Sequence, residues 1–151
     1  MADFTSSRAA MDLLTGETRV TYGPVSSMLD DAEVGPGHSW LRRTSYLLHT
    51  DSGYRFLYEQ GAGIRIERTG GHDPAEEALW LNGSVYAAVA SINGLMPIHA
   101  SAVAHDSQVY AFTGPSGAGK STLIAALGRM GLPMFCDDTL VLDLSDPAQI
   151  V

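Results

Sequence analysis

The chain has 151 residues, 45% of them hydrophobic and 17% charged, and a formal net charge of −8. That length and balance fit one domain, or one domain with a small appendage, and exclude a wholly disordered chain. An acidic chain without a Lys/Arg cluster also excludes nucleic acid and an anionic membrane surface as partners, so any bound phosphate must be held by local geometry.

The opening "MADFTSSRAAMDLL" lacks the charged-then-apolar pattern of a leader, and disorder is expected only over the first dozen residues. From Thr18 to Arg68, short apolar runs are punctuated by turn residues. "RVTYGPV", "WLRRTSYLLHT", "YRFLYEQ" and "IRIER" are separated by Asp30-Asp31, Gly35-Pro36-Gly37, Asp51-Ser52-Gly53 and Gly61-Ala62-Gly63. Alternation in Tyr54/Phe56/Tyr58 and Ile64/Ile66 predicts an antiparallel meander of three or four strands. The texture changes at "GGHDPAEEALW", where Asp73 reads as an N-cap, Pro74 as the first helical residue and Glu76 as the far half of a capping box. Beyond a break at Asn82-Gly83, Val85, Ala88, Val89 and Ile92 recur at helical spacing until Gly94 and Pro97. We therefore expect two regions, a β-rich one over 1–71 and an α/β core over 72–151.

"IHASAVAHDSQVYAFTG" predicts two strands around an Asp106-Ser107 turn, and the second runs into "GPSGAGKST". These residues, Gly114, Pro115, Ser116, Gly117, Ala118, Gly119, Lys120, Ser121 and Thr122, contain the pattern G-x-x-x-x-G-K-[ST] of a phosphate-binding loop (P-loop). Glycines at 114, 117 and 119 allow positive φ, so that successive N–H groups can turn inward on a phosphate. The helix that follows adds its free N-terminal donors and the positive end of its dipole. Lys120 can reach the β- and γ-phosphates of ATP, and the Ser121 hydroxyl can join the coordination of Mg²⁺. Leu123, Ile124, Leu127 and Met130 share one face of that helix, which Gly131 and Pro133 end.

"MFC" then reads as a short strand ending on Asp137 and Asp138. If it runs parallel to the strand that feeds the loop, both carboxylates arrive at the phosphate end. One can hold Mg²⁺, and the other can accept a proton from an attacking hydroxyl. Adjacent carboxylates repel, so one should have a raised pKa. Cys136, the single cysteine, cannot form an internal disulfide and reads as core, which with the absent leader points to the cytoplasm. No two histidines have metal-ligand spacing; His99 opens the strand "HASAVAH", where a lone histidine is more often structural than catalytic.

"IHASAVAHDSQVYAFTGPSGAGKSTLIAALGRMGLPMFCDD" resembles the catalytic core of the HPr serine kinase/phosphorylase family, most closely its stand-alone HPr-kinase-like members. The likeness runs from about Leu95 to Leu144, a third of the chain. It implies an α/β P-loop core related to phosphoenolpyruvate carboxykinase, preceded by a small antiparallel β-rich region. The implied activity is transfer of phosphate from Mg-ATP to a serine of a protein or peptide. Asp137 would be the base, Asp138 and His99 its neighbours, Lys120 would serve the phosphates, and Ser121 and Asp138 the magnesium. Ala100 and Thr122 stand where HPr kinases proper usually carry Gly and Glu, which weakens HPr itself as the substrate. The family's later acidic magnesium ligand and Gly/Arg-rich segment have no counterpart in this sequence. A shortened form is expected, its sheet edges covered by a partner or a second copy and the apolar "SDPAQIV" starting a further strand. The alternative is a nucleotide- or peptide-binding module without chemistry of its own.

Overall fold

A computed structural model describes residues 8–71 and 73–145. Expectations for the first seven residues, for His72 and for the segment after Ser145 lie outside the described residues. The chain is mixed α/β and divides into two compact units at Leu95/Met96.

In the first unit, helix α1 (Arg8–Glu17) precedes strand β1 (Val20–Tyr22), a two-strand ladder of β2 (Met28–Leu29) and β3 (Ala32–Glu33), and four longer strands. These are β4 (His38–Leu41), β5 (Ser45–His49), β6 (Tyr54–Glu59) and β7 (Gly63–Arg68). They form the expected antiparallel meander, and β1 adds to its β7 edge in parallel, giving the order β1-β7-β6-β5-β4. The period-2 alternation places Tyr54, Phe56, Tyr58, Ile64 and Ile66 on one face, all nearly inaccessible. Leu47 and Leu57 point to the other face, where they meet Val25, Leu29 and Val34.

Helix α1 begins inside the stretch expected to be disordered and extends beyond it to Glu17. Its Leu14 packs on the sheet, and Glu17 accepts hydrogen bonds from the Tyr58 hydroxyl at 2.7 Å and from Gly61 N–H. Those contacts are long-range in sequence, so local composition does not announce them.

Helices α2 (Pro74–Trp80) and α3 (Tyr86–Ile92) are joined by a π-helical turn over Leu81–Val85, so Asn82-Gly83 widens the helix without breaking it. Asp73 caps α2, accepting from Ala75 N–H at 2.9 Å and Glu76 N–H at 3.4 Å. The reciprocal half of the capping box is not made. Glu76 turns to Ser52 and Trp80, while the Asp73 N–H donates to the Tyr54 hydroxyl at 2.8 Å.

Val85, Ala88 and Val89 pack into the same cluster as Tyr54, Phe56 and Ile66. This corrects the expected boundary between 1–71 and 72–151. The helices belong with the β-rich sheet, because their apolar stripe is what covers its aromatic face.

The second unit is built on one long strand, β8 (Met96–His105). β9 (Gln108–Thr113) pairs antiparallel with β8 across the expected turn, where Asp106 and Ser107 both take positive φ. Along its other edge β8 pairs antiparallel with β10 (Met134–Cys136) and then with β11 (Thr139–Leu142). Helix α4 (Lys120–Arg129) connects β9 to β10, and Gly131, at φ 92°, ends it as expected. Ala100, Ala102, Val103, Ala104, Ile124 and Leu140 are buried, whereas Tyr110, Met130, Met134 and Phe135 remain exposed. The apolar face expected for α4 is thus only partly covered. Among the described residues no helix is long and apolar enough to cross a membrane.

Candidate functional site

The glycine-rich loop leaves β9 opposite the middle of β8, Thr113 pairing with Ala100. Gly117 and Gly119 hold left-handed φ values of 79° and 86°, which a side chain would strain, while Gly114, at 158°, borders on extended backbone. Gly119 is the N-cap of α4 and brings no side-chain cap. The first N–H groups of the helix, those of Lys120, Ser121 and Thr122, therefore lack intrahelical acceptors. The Lys120 ammonium folds back on the loop, donating to Gly114 O at 3.0 Å and Pro115 O at 3.3 Å. A phosphate is the kind of group that could draw it away, since charge-assisted bonds to anionic oxygens outweigh bonds to neutral carbonyls.

Both β9 and β10 run antiparallel to β8, on opposite edges, so they point the same way. That shared direction brings their carboxyl ends to one side. The Ser121 hydroxyl, at the start of α4, donates to Asp137 Oδ1 at 3.0 Å. Ser101, in β8 and inaccessible to solvent, donates to the same oxygen at 2.5 Å. One carboxylate oxygen thus joins the central strand to the loop helix.

Asp138 takes φ 85°, unusual for a residue with a Cβ, at the step where pairing along β8 passes from β10 to β11. Its carbonyl accepts from Ala100 N–H at 3.2 Å. His99 Nδ1 lies 2.9 Å from that carbonyl and 3.1 Å from Asp138 Oδ1. Both side chains are about half open to solvent, at 52% and 65%.

The Asp137 carboxyl is held below the usual carboxylate range, first by the Ser101 hydroxyl, against a smaller opposing effect of desolvation. The Ser121 hydroxyl, the Asp138 N–H and the His99 ring add to the lowering. Hydrogen bonds to the charged form outweigh desolvation there. Burial pushes the Cys136 thiol up, and the neighbouring Asp137 charge adds to it, against a smaller lowering by a backbone hydrogen bond.

The structure thus brings together Ser121, Asp137, Asp138 and His99, while the Lys120 ammonium stays on the loop carbonyls. It leaves the other described histidines elsewhere. His105 sits beside Asp106 at the hairpin turn, 3.2 Å away, while His38 and His49 are in the first unit, bonded to Pro36 O and Val34 O. Asp143 follows β11 and accepts from Ser145 N–H. Sequence reasoning missed Ser101. The signal was the strand alternation of "HASAVAH", which places residue 101 on the same face as His99.

Among the described residues no three of His, Cys, Asp and Glu converge to hold a metal by themselves. Magnesium bound together with phosphates needs less, one or two carboxylates and hard oxygen donors. The Ser121 hydroxyl beside Asp137 fits that chemistry. No protein-family model, curated protein or solved structure matches the chain.

Proposed function

We propose that the chain carries the P-loop core of an ATP-dependent serine kinase of the HPr-kinase-like type, passing phosphate from Mg-ATP to a serine of a protein or peptide. The observation that carries this reading is the 3.0 Å contact between the loop hydroxyl of Ser121 and Asp137, with His99 and Asp138 beside it. A phosphate loop alone would suit many nucleotide-binding proteins. A loop joined to a carboxylate pair and a histidine has the acids and bases a phosphoryl transfer uses.

In this reading the loop N–H groups and Lys120 hold the β- and γ-phosphates. Ser121 and one of the two carboxylates would hold magnesium, which would supply positive charge to the phosphate oxygens. As the acceptor serine oxygen bonds to the γ-phosphorus, its proton passes to a carboxylate, and the bond from that phosphorus to the β–γ bridging oxygen breaks to release ADP. Asp137 and Asp138 are the two carboxylates available. By the resemblance, Asp137 is the base and Asp138 serves the metal with Ser121. The cell compartment that suits such an enzyme is the cytoplasm.

Incubation with γ-labelled ATP and serine peptides tests the reading. Label in serine, lost in Lys120→Ala and in the double variant Asp137→Asn/Asp138→Asn, is the expected result. Absence of ATP, ADP or pyrophosphate uptake by the wild-type chain would end it.

A second reading is a nucleotide- or peptide-binding module without chemistry, acting alone or as a homo-oligomer. Exposure of Tyr110, Met134 and Phe135 on the strands of the second unit favours it, since such strands suit an added chain. Nucleotide uptake without phosphotransfer is its signature.

A further inference from the structure

Resting on the P-loop reading, we propose that Ser101 is a positioning residue whose buried hydroxyl ties Asp137 to Ser121. Asp137 is thereby assigned to the magnesium side of the site, and Asp138 with His99 is left to the acceptor side. The resemblance assigns these roles the other way round.

The argument begins in β8. Three consecutive residues of this strand touch Asp137 or Asp138, two of them at the carboxylates. His99 Nδ1 faces Asp138, Ala100 N–H binds the Asp138 carbonyl, and the Ser101 hydroxyl binds Asp137 Oδ1. Ser101 has no exposed surface, so its hydroxyl would carry a desolvation cost without a partner. The same Asp137 oxygen takes the Ser121 hydroxyl proton.

A hydroxyl that donates its proton to a carboxylate keeps its lone pairs for another ligand. Ser121 is therefore oriented to offer oxygen to a cation on the phosphates, and Ser101 keeps Asp137 where it enforces that orientation. Through Oδ1, which accepts from both hydroxyls, Asp137 is committed to the loop side of the site. Asp138 Oδ1, 3.1 Å from His99 Nδ1 and on a half-exposed side chain, is accessible to an incoming hydroxyl.

The test measures ATP affinity of the full chain with and without magnesium, by calorimetry, alongside phosphotransfer. In Ser101→Ala the strengthening of ATP binding by magnesium should fall about tenfold, equivalent to about 1.4 kcal/mol, with magnesium-free affinity kept. Ser101→Thr, which keeps a hydroxyl, should retain the magnesium effect. Asp137→Ala removes the shared acceptor oxygen and should reproduce the loss, which covers a Ser101→Ala protein that does not fold. His99→Ala should lose phosphotransfer yet keep the magnesium effect. An unchanged magnesium effect in both Ser101→Ala and Asp137→Ala, or an equal loss in His99→Ala, overturns the positioning role alone. Failure of the wild-type chain to bind ATP under either condition overturns the P-loop reading as well.

Discussion

His99 Nδ1 sits between two oxygens of a single residue, 2.9 Å from the Asp138 carbonyl and 3.1 Å from its carboxylate Oδ1. That geometry requires Asp138 to hold φ 85°, a left-handed conformation that costs a residue with a Cβ about 1 kcal/mol. The side-chain pair is half exposed and returns little stability. Asp138→Gly should therefore leave the protein as stable as the wild type or up to about 1 kcal/mol more stable, by urea denaturation. Asp138→Ala should be less stable than Asp138→Gly. Both should lose phosphotransfer, so a stabilised, inactive Asp138→Gly would mark strain kept for a function. A clear loss of stability in Asp138→Gly would refute the strain argument.

Acid should weaken the link between Asp137, Ser101 and Ser121. The folded-state pKa of Asp137 lies below its ordinary 3.8. A depressed carboxylate contributes stability above the unfolded value and loses it as pH falls through the folded one. Melting temperatures of wild type and Asp137→Asn should differ at pH 5 to 7, then converge as the pH drops below the ordinary carboxylate range. Parallel curves across that window would contradict the hydrogen bonding at Asp137 Oδ1.

The loop and its two flanking elements are legible in the sequence, because glycines that take positive φ between an apolar strand and a helix leave a local pattern. The Asp106-Ser107 turn and the Asp73 cap are readable for the same local reason. The role of helices α2 and α3 is not, since the choice of sheet for Val85 and Val89 depends on aromatic residues Tyr54 and Phe56 some thirty positions earlier. Ser101 is hidden for a related reason. A serine among alanines in a strand looks like filler until pairing along β8 brings Asp137 beside it. The lowering at Asp137 is equally remote in origin, because two of the hydroxyl donors behind it come from β8 and α4.

Lys120 separates binding from folding. Its ammonium meets only exposed loop carbonyls, Gly114 O and Pro115 O, in the hydrogen bonds seen. Lys120→Ala should shift the unfolding midpoint by no more than about 0.5 kcal/mol of stability, as for an ordinary surface change. ATP affinity should drop by at least about tenfold, the loss of one charge-assisted contact to phosphate. A variant that binds ATP as the wild type does would remove the lysine from the phosphate site.

Tyr58 should report on the first unit at high pH. Burial first, then the hydrogen bond to Glu17, pushes its hydroxyl up to about 12, with Asn93 opposing. A phenol that stays neutral in the fold but ionises at its ordinary 10.0 when unfolded draws the chain towards unfolding as pH rises from that value towards 12. Ultraviolet titration of the phenolate band should show a late step that Tyr58→Phe lacks. An unchanged titration curve in Tyr58→Phe would mean that the hydroxyl is not held as described.

Gly63 fixes where β1 joins the sheet. It opens β7 at φ 87°, and a Cβ built there would lie 2.6 Å from the Arg19 carbonyl oxygen. That carbonyl accepts from Ile64 N–H at 2.9 Å, the bond that starts the parallel pairing of Val20 with Ile64. Alanine at this position must strain φ and push backbone away from backbone, where no flexible side chain can yield. Gly63→Ala should therefore cost about 2 kcal/mol or more, combining the left-handed penalty with a displaced strand. Gly61→Ala, at φ 84° in the same turn but with open space around its Cβ, should show only the conformational part, about 1 kcal/mol. Denaturant titration of the two variants compares the terms directly. Equal losses would mean that the approach of Arg19 to Gly63 is looser than the distance indicates.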